Sequence, residues 1–266
     1  MTDQLADGEI KLCCATFYQS DLARMLLGDV FHPGGLELTQ HLGESIRLGA
    51  ADRVLDVACG RGQSAIHLAQ SFGCHVTGLD YGSANIAAAQ ALTDEKGVFH
   101  LTEFRQGDAE GIPFANGAFD AVISECSYCT FPNKAVAASE MVRLLRPGGR
   151  LGLTDVTITG DLPEDIQNLV GWVACIAGAG TAQEYISTLQ AAGLEDFFVD
   201  DQRNAMLEMV NNIRRKLLGV ELAVNLKIIE LGNLDLYECK SLARRAVELI
   251  ENGTIGYTLI TAMKPE

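Results

Sequence analysis

Three absences narrow the function of this sequence of 266 residues. Basic residues are few, since 20 lysines and arginines stand against 35 aspartates and glutamates, for a net charge of -15. Such a surplus of negative charge repels phosphate backbones and anionic membrane surfaces. The sequence has no run of about 20 apolar residues that could span a bilayer, and its N-terminus lacks the pattern of a secretory signal. We therefore expect a cytoplasmic protein that acts on a small molecule, with no nucleic-acid or membrane partner.

The hydrophobic fraction of 48% is enough to build a substantial core. Apolar runs punctuated by Gly and Asp alternate with helical patterns from about residue 53, which predicts βαβ units around a parallel sheet. Predicted strands are 53–58, 74–80, 101–106, 119–125, 150–156, 194–200 and 254–263. Predicted helices are 16–27, 36–48, 62–72, 83–96, 134–146, 164–178, 182–192, 202–222 and 235–251. No linker or repeat divides the chain, so a single domain is expected.

The segment VLDVACGRG, residues 54–62, is a buried strand followed by a glycine-rich turn that enters a helix. Gly60 and Gly62 allow a sharp turn and a close approach of a ligand to the helix N-terminus. Asp80 ends the next strand, where a carboxylate meets ribose hydroxyls in nucleotide-binding βαβ units. Asp56, placed before the turn, would repel a pyrophosphate but accept a hydrogen bond from an ammonium group. GDAEGIPF, residues 107–114, adds a second acidic turn suited to an adenine edge.

Together these residues resemble the class I S-adenosylmethionine-dependent methyltransferases over residues 50–156. The resemblance implies an α/β fold with a Rossmann-like seven-stranded sheet of order 3-2-1-4-5-7-6 and an antiparallel last strand. It also implies S-adenosylmethionine as the cofactor, held at the carboxyl ends of the strands. The implied cofactor-binding residues are Tyr18, Gly34, Asp56, Ala58, Gly60, Gly62, Asp80, Tyr81, Asp108, Ala109 and Glu125.

The same resemblance divides the domain into three parts. Residues 1–48 form a helical lid, in which Tyr18 and the HPGG turn at Gly34 would close on the cofactor. Residues 49–160 form the cofactor-binding core, and residues 161–266 supply substrate-side helices and the final strands. In segment 202–252, Met and Leu at helical spacing indicate a core or dimer face rather than a substrate site.

Eight cysteines, at 13, 14, 59, 74, 126, 129, 175 and 239, are expected to be reduced thiols. Cys126 and Cys129 form a C-x-x-C directly after the predicted strand 119–125. A redox pair, half of a zinc site, two buried thiols and a substrate clamp all fit this spacing. Only one such motif is present, however, and a structural zinc site needs four ligands. We therefore predict no metal site.

SECSYCTFPNK and WVACIAGAGTAQEYISTLQAAGL, residues 124–134 and 172–194, are similar to segments of arsenite methyltransferases. That resemblance implies that Cys126 and Cys175 are the catalytic, arsenic-binding cysteines. The family has a further cysteine where this chain has Ala65, so Cys129 or Cys59, or the pair Cys13–Cys14, would supply a third thiol. Trivalent arsenic is soft and prefers thiolates, and bound in this way it needs orientation rather than a general base.

Three functions follow as hypotheses. The first is methyl transfer from S-adenosylmethionine to a thiol-bound metalloid, with trivalent arsenic as the preferred acceptor. The second is methyl transfer to a small organic acceptor such as a quinone, sterol or amine, in which His32, Tyr128, Glu125 or Tyr18 would act as base or orient the substrate. The third is a non-enzymatic cofactor-binding sensor that responds to cysteine oxidation.

Overall fold

A computed structural model describes residues 7–163, 175–225 and 236–266. Its strands are β1 (Arg53–Val57), β2 (His75–Asp80), β3 (Thr102–Gln106), β4 (Phe119–Glu125), β5 (Leu145–Ile158), β6 (Glu195–Asp201) and β7 (Ile255–Met263). They form one sheet of order β3-β2-β1-β4-β5-β7-β6. β7 pairs antiparallel with both β5 and β6, whereas the first five strands pair in parallel. This confirms the predicted sheet order and the antiparallel last strand.

The described helices cover both faces of the sheet and the carboxyl ends of its strands. They are α1 (Asp7–Tyr18), α2 (Asp21–Leu27), α3 (Gly35–Ser45), α4 (Gln63–Phe72), α5 (Ser83–Lys96), α6 (Lys134–Leu144), α7 (Ala182–Ala191), α8 (Arg203–Asn225) and α9 (Leu236–Glu251). One apolar cluster joins α3, α4, α8 and α9 to one sheet face, and a second joins α6 and α7 to the other. None of these described helices is long and apolar enough to cross a membrane.

The N-terminal helices differ from the prediction. A single helix over 16–27 is wrong, because the chain forms α1 and α2 with a break at Gln19 and Ser20. The Ser20 hydroxyl accepts a hydrogen bond from the Ala23 backbone N–H and so caps the start of α2. α1 starts at Asp7, well before the predicted boundary. Two helices with a capped corner can bend over the sheet, which one continuous helix could not.

Other boundaries agree within a few residues, with one exception. β5 begins at Leu145 and so includes the Pro-Gly-Gly segment, whereas the prediction began it at residue 150. Most of the predicted helix 164–178 lies outside the described residues, and its last four residues contain no helix. The division into a lid, a core and a substrate-side part stays a prediction.

Candidate functional site

The carboxyl ends of β1, β2 and β4 open into a cavity, here called the strand-end cavity, of about 150 Å³. It is narrow because α1 lies across it, with Lys11, Cys14, Ala15 and Tyr18 in its wall. The lining includes most of the residues predicted to bind the cofactor: Tyr18, Asp56, Ala58, Gly60, Asp80, Tyr81, Asp108, Ala109 and Glu125. The topological switch between β1 and β4 thus brings these separate segments to one place.

Asp80 is tied firmly to the glycine-rich turn. Its carboxylate accepts hydrogen bonds from the backbone N–H groups of Gly60, at 2.9 Å, and Gly82, at 2.8 Å. The Asn85 side chain donates a third, at 3.1 Å. Burial raises the pKa of the Asp80 carboxyl, and these three donors oppose that rise. The carboxylate is therefore held in place while it still faces the cavity.

Asp56 carries the clearest sign of a missing ligand. It is buried at the end of β1, and its Oδ2 atom has no hydrogen-bond partner. Burial raises the pKa of this carboxyl well above its ordinary value, and the charges of Glu125 and Asp80 raise it further. Three acidic side chains in one cavity create a potential that favours a cationic ligand. A buried oxygen without a partner is costly unless such a ligand binds it.

Glu125 belongs to a buried polar network at the other side of the cavity. The Thr39 hydroxyl lies 3.0 Å from one oxygen of the Glu125 carboxylate, to which it donates. The His32 Nε2 atom lies 3.1 Å from the Ser64 hydroxyl and 3.5 Å from Glu125. His32 Nδ1 in turn contacts the Pro33 carbonyl oxygen at 3.1 Å. The HPGG turn therefore fixes an imidazole beside the cavity, a role that its sequence alone left open.

Helix α1 is attached to the turn after β3 through Lys11, a contact that the sequence did not predict. The Lys11 ammonium lies 2.8 Å from Asp108 and 2.7 Å from Glu110, on the turn after β3. Asp108, predicted to contact adenine, thus already has a cationic partner on α1. A lysine one helical turn before Cys14 and Ala15 gives no distinctive signal in the sequence. The pairing only becomes visible once α1 folds over the sheet.

Two predicted cofactor residues lie outside the strand-end cavity. Gly62 has φ 77° and caps α4, and a Cβ atom there would lie 2.7 Å from the Phe104 ring. Gly34 has the same φ, begins α3 and faces Leu38 rather than the cavity. Both glycines are needed for the backbone conformation, and their contact with a cofactor stays a prediction.

The predicted catalytic cysteines are brought together, with Cys129 and Tyr18 beside them; these four residues are called the thiol cluster. The Cys175 sulfur lies 3.0 Å from the Tyr18 hydroxyl and 3.5 Å from the Cys126 carbonyl oxygen. Hydrogen bonds with the Cys126 and Cys129 thiols, and then with Tyr18, hold the pKa of Cys175 well below its ordinary value. The pKa values of Cys126 and Cys129 are raised correspondingly.

Cys59 does not join this cluster. Its thiol packs against Gly78 of β2 and points to the Gly60 carbonyl oxygen, at 3.7 Å. The charges that raise its pKa are those of Asp56 and Asp80, not those of other cysteines. Cys59 therefore lies apart from the thiol cluster, and its role as a third thiol stays a prediction. Within residues 7–163, 175–225 and 236–266, no group of three His, Cys, Asp or Glu residues is arranged to hold a metal ion.

A second cavity, the apolar cavity, lies beyond the thiol cluster and has a volume of about 1070 Å³. This size is at the upper end of the roughly 300–1,000 Å³ common for small-molecule sites. The inner face of α8 supplies Met206, Met209, Val210, Ile213 and Leu217, and α9 supplies Leu242, Ala243 and Ala246. The helical Met and Leu spacing thus marks both core and cavity wall, although the sequence favoured core or a dimer face alone.

The two cavities share three wall residues, namely Tyr18, Phe31 and Cys126. The rings of Tyr18 and Phe31 have centroids 6.0 Å apart, and Cys126 directly follows β4. Cys175 lines the apolar cavity only. A group bound in the strand-end cavity would therefore face a group in the apolar cavity across these three side chains.

Comparison with known proteins agrees with this architecture. Residues 55–153 match a family model described as a methyltransferase domain. The sarcosine/dimethylglycine N-methyltransferase of Halorhodospira halochloris is 31% identical over 65% of this chain and 62% of its own length. The arsenite methyltransferase of Halobacterium salinarum is 34% identical over 56% of this chain and 38% of its own length. The matches thus span less than two thirds of either relative.

A solved structure of the [4+2]-cyclase SpnF has the same fold along almost the whole chain. Its TM-score is 0.78 at 22% identity, and the match covers 98% of this chain and 96% of that one. The fold alone therefore does not determine the reaction. The domain match, the curated relatives and the sheet order together make this chain similar to the class I S-adenosylmethionine-dependent methyltransferases.

Proposed function

We propose that the protein transfers a methyl group from S-adenosylmethionine to a bulky, mainly apolar organic molecule. One observation carries this proposal: a large apolar cavity meets the strand-end cavity at Tyr18, Phe31 and Cys126. An acceptor in the first cavity would present its reacting atom to the second at that junction. Methyl transfer depends strongly on such alignment of donor and acceptor.

The residues of the strand-end cavity fit the proposed cofactor. The unpartnered Asp56 Oδ2 atom suits an α-ammonium group, and the Asp80 carboxylate suits ribose hydroxyls. When bound, S-adenosylmethionine would supply an activated methyl group on a sulfonium. Three carboxylates at the strand ends provide the negative potential that a sulfonium cation requires. α1 lies over this cavity and would exclude water from it.

At the junction, the chain's own groups can orient an acceptor. The Tyr18 hydroxyl and the Cys126 and Cys175 thiols are polar groups in a wall that is otherwise mostly apolar. A hydroxyl or amine on the acceptor would exchange hydrogen bonds with them, while the helices α8 and α9 would hold its apolar part. A few polar groups in an apolar pocket typically set ligand orientation in this way.

A second candidate acceptor is trivalent arsenic held by Cys126 and Cys175. The meeting of these two thiols and Cys129 at the junction favours it, as does the similarity to an arsenite methyltransferase. The apolar cavity favours the organic acceptor instead, because a single arsenic atom held by thiols makes no use of a cavity of this size.

Labelled methyl donor distinguishes the two candidates when it is supplied with a panel of apolar phenols, quinols and amines, or with arsenite plus thiol. Met209→Trp would narrow the apolar cavity, and Leu218→Trp, on the exposed side of the same helix, is the matched control. We expect Met209→Trp to reduce methylation of the organic acceptor at least tenfold and to leave donor binding unchanged, with no such loss in Leu218→Trp.

The opposite pattern would support arsenic. Methylation of arsenite that tolerates Met209→Trp but disappears in both Cys126→Ser and Cys175→Ser, with donor binding intact, would establish the second candidate. Absence of methyl transfer to any acceptor, together with donor binding, would count against both.

A further inference from the structure

Cys126 and Cys175 share an unusual backbone conformation. Their φ angles are 51° and 62°, in the left-handed region that side chains other than Gly and Asn rarely adopt. Such positions persist only where the surrounding structure enforces them and are concentrated at functional sites. The Cys175 thiol donates to the Cys126 carbonyl oxygen, at 3.5 Å.

Hydrogen bonds with the thiols of Cys126 and Cys129, and then with the Tyr18 hydroxyl at 3.0 Å, lower the pKa of Cys175. Hydrogen bonds to a thiolate stabilise it, so the first proton lost by the cluster comes from Cys175. The thiolate is the nucleophilic form of cysteine. The neighbouring Cys126 stays a thiol, and a thiol beside a thiolate is the arrangement that resolves an oxidised sulfur.

Access to the sulfur comes through the apolar cavity. Cys175 and Cys126 line this cavity, whereas Cys129 is fully buried and lines neither cavity described above. Cys74 offers a contrast, because burial raises the pKa of its thiol to about 11 and its sulfur donates to the Leu68 carbonyl oxygen. Reactivity and access therefore coincide at Cys175.

We propose that Cys175 is a peroxide-reactive thiol that forms a disulfide with Cys126, and that this bond closes the junction between the two cavities. The chemical class of reactant is a hydroperoxide small or apolar enough to enter the apolar cavity. The consequence for methyl transfer rests on the function proposed above, whereas the formation of the disulfide does not.

The reaction has two steps. The Cys175 thiolate attacks the terminal peroxide oxygen, the O–O bond breaks, and the departing oxygen takes up a proton to leave as water or an alcohol. The product is a sulfenic acid on Cys175. The Cys126 sulfur then attacks the Cys175 sulfur, an S–S bond forms, and the hydroxyl group leaves with the Cys126 proton as water. Two thiols lose two electrons in total, and one hydroperoxide gains them.

Closure of the junction follows from the position of Cys126 in the walls of both cavities. A covalent bond there would hold Cys175 against the end of β4, and the Tyr18 hydroxyl would lose the thiolate to which it is bonded. Both changes fall where the methyl group must pass. We therefore expect oxidation to lower methyl transfer at least tenfold and a dithiol reductant to restore it.

The test treats the full-length protein with hydrogen peroxide, blocks remaining thiols with an alkylating agent, and maps cross-linked peptides by mass spectrometry. We expect a Cys126–Cys175 cross-link at peroxide concentrations that leave Cys74 and Cys239 alkylatable. Cys175→Ser should abolish the cross-link. Cys126→Ser should leave a sulfenic acid on Cys175 that reacts with dimedone. Cys74→Ser is the matched control and should cross-link normally.

Several results would overturn the proposal: a Cys126–Cys129 cross-link, oxidation of Cys13 or Cys239 before Cys175, or an unoxidised Cys175 in a folded protein. Thermal unfolding of each variant separates a loss of reactivity from a loss of fold. Since the cross-link is read without any acceptor, it can form even if no methyl transfer is found. That outcome would reject the proposed function alone.

Discussion

The hydroxyl of Tyr18, on helix α1, lies 3.0 Å from the sulfur of Cys175, and both residues line the apolar cavity. This contact joins α1 to the segment between β5 and α7. Because it also stabilises a thiolate, the ionisation of Cys175 depends on whether α1 is in place.

Tyr18→Phe should therefore raise the pKa of Cys175. The variant keeps the ring and removes one of the three donors to the sulfur, so the thiolate is less stable. We expect the pH profile of Cys175 alkylation by iodoacetamide, followed by peptide mass spectrometry, to move to higher pH. Tyr81→Phe, at the rim of the strand-end cavity, is the control. Identical profiles for Tyr18→Phe and the unchanged protein would refute a direct role of the hydroxyl.

Asp56→Asn should weaken the binding of S-adenosylmethionine without lowering the thermal stability of the free protein. The carboxylate is buried, and one of its oxygens has no partner, so its charge is costly in the free protein. We expect affinity for S-adenosylmethionine to fall by about tenfold or more, equal to about 1.4 kcal/mol, while the melting temperature of the free protein does not fall. Titration calorimetry and thermal unfolding measure the two quantities. The exposed Asp94→Asn provides the control, and unchanged affinity in Asp56→Asn would contradict the assignment.

The strands β1, β2 and β4 were predictable from the sequence because each is a short, mostly apolar run bounded by glycine or an acidic residue, whereas the sheet order came from the family resemblance. The convergence of Asp56, Asp80 and Asp108 was predictable because each follows or ends a parallel strand. Parallel strands bring their carboxyl ends to one edge of the sheet. The ion pairs of Lys11 and the position of Met209 in the wall of the apolar cavity were not predictable, because these contacts join segments far apart in the chain. The local pattern of a helix shows which face is apolar but not whether that face meets another side chain or a cavity.

The two glycines outside the strand-end cavity show a related limit. Gly62 lies in a motif whose glycines commonly approach a ligand, so its role as a cofactor contact was a reasonable prediction. The structure instead requires this glycine for a positive φ and for close packing against Phe104 and Ala89. The sequence indicates that residue 62 must be small, but only the structure shows that Phe104 and Ala89 leave no room for a larger side chain.

Gly62→Ala should consequently destabilise the fold more than an equivalent change elsewhere. A Cβ atom at residue 62 would lie 2.8 Å from the Ala89 Cβ atom. Gly97 also has a positive φ, of 69°, but no atom within 4 Å of such a Cβ. We expect Gly97→Ala to cost about 1–2 kcal/mol from strain alone and Gly62→Ala about 1–3 kcal/mol more from overpacking. Urea unfolding measures both, and equal losses would exclude the packing role.

Asp155, buried beneath the thiol cluster, should make stability depend on pH. Burial raises the pKa of its carboxyl from 3.8 to about 7, and the charge of Cys175 contributes to this rise. Between these two values the folded protein binds one proton more than the unfolded chain. The contribution of Asp155 to stability is therefore fully present below about pH 4 and declines as the pH rises toward 7.

Asp155→Asn should remove this decline. The gap between the two pKa values corresponds to a change of at most about 4 kcal/mol across the window. The carboxylate accepts hydrogen bonds from the backbone N–H groups of Ser127, Cys129 and Val156, and an amide replaces only one of its two oxygens as an acceptor. The variant will thus lose stability at every pH, so the slope of unfolding free energy against pH is the decisive measurement.

Urea unfolding at intervals from pH 4.5 to about pH 7.5 should give a shallower fall with rising pH for Asp155→Asn than for the exposed control Asp94→Asn. Parallel slopes would mean that Asp155 ionises in the folded protein as it does in the unfolded chain.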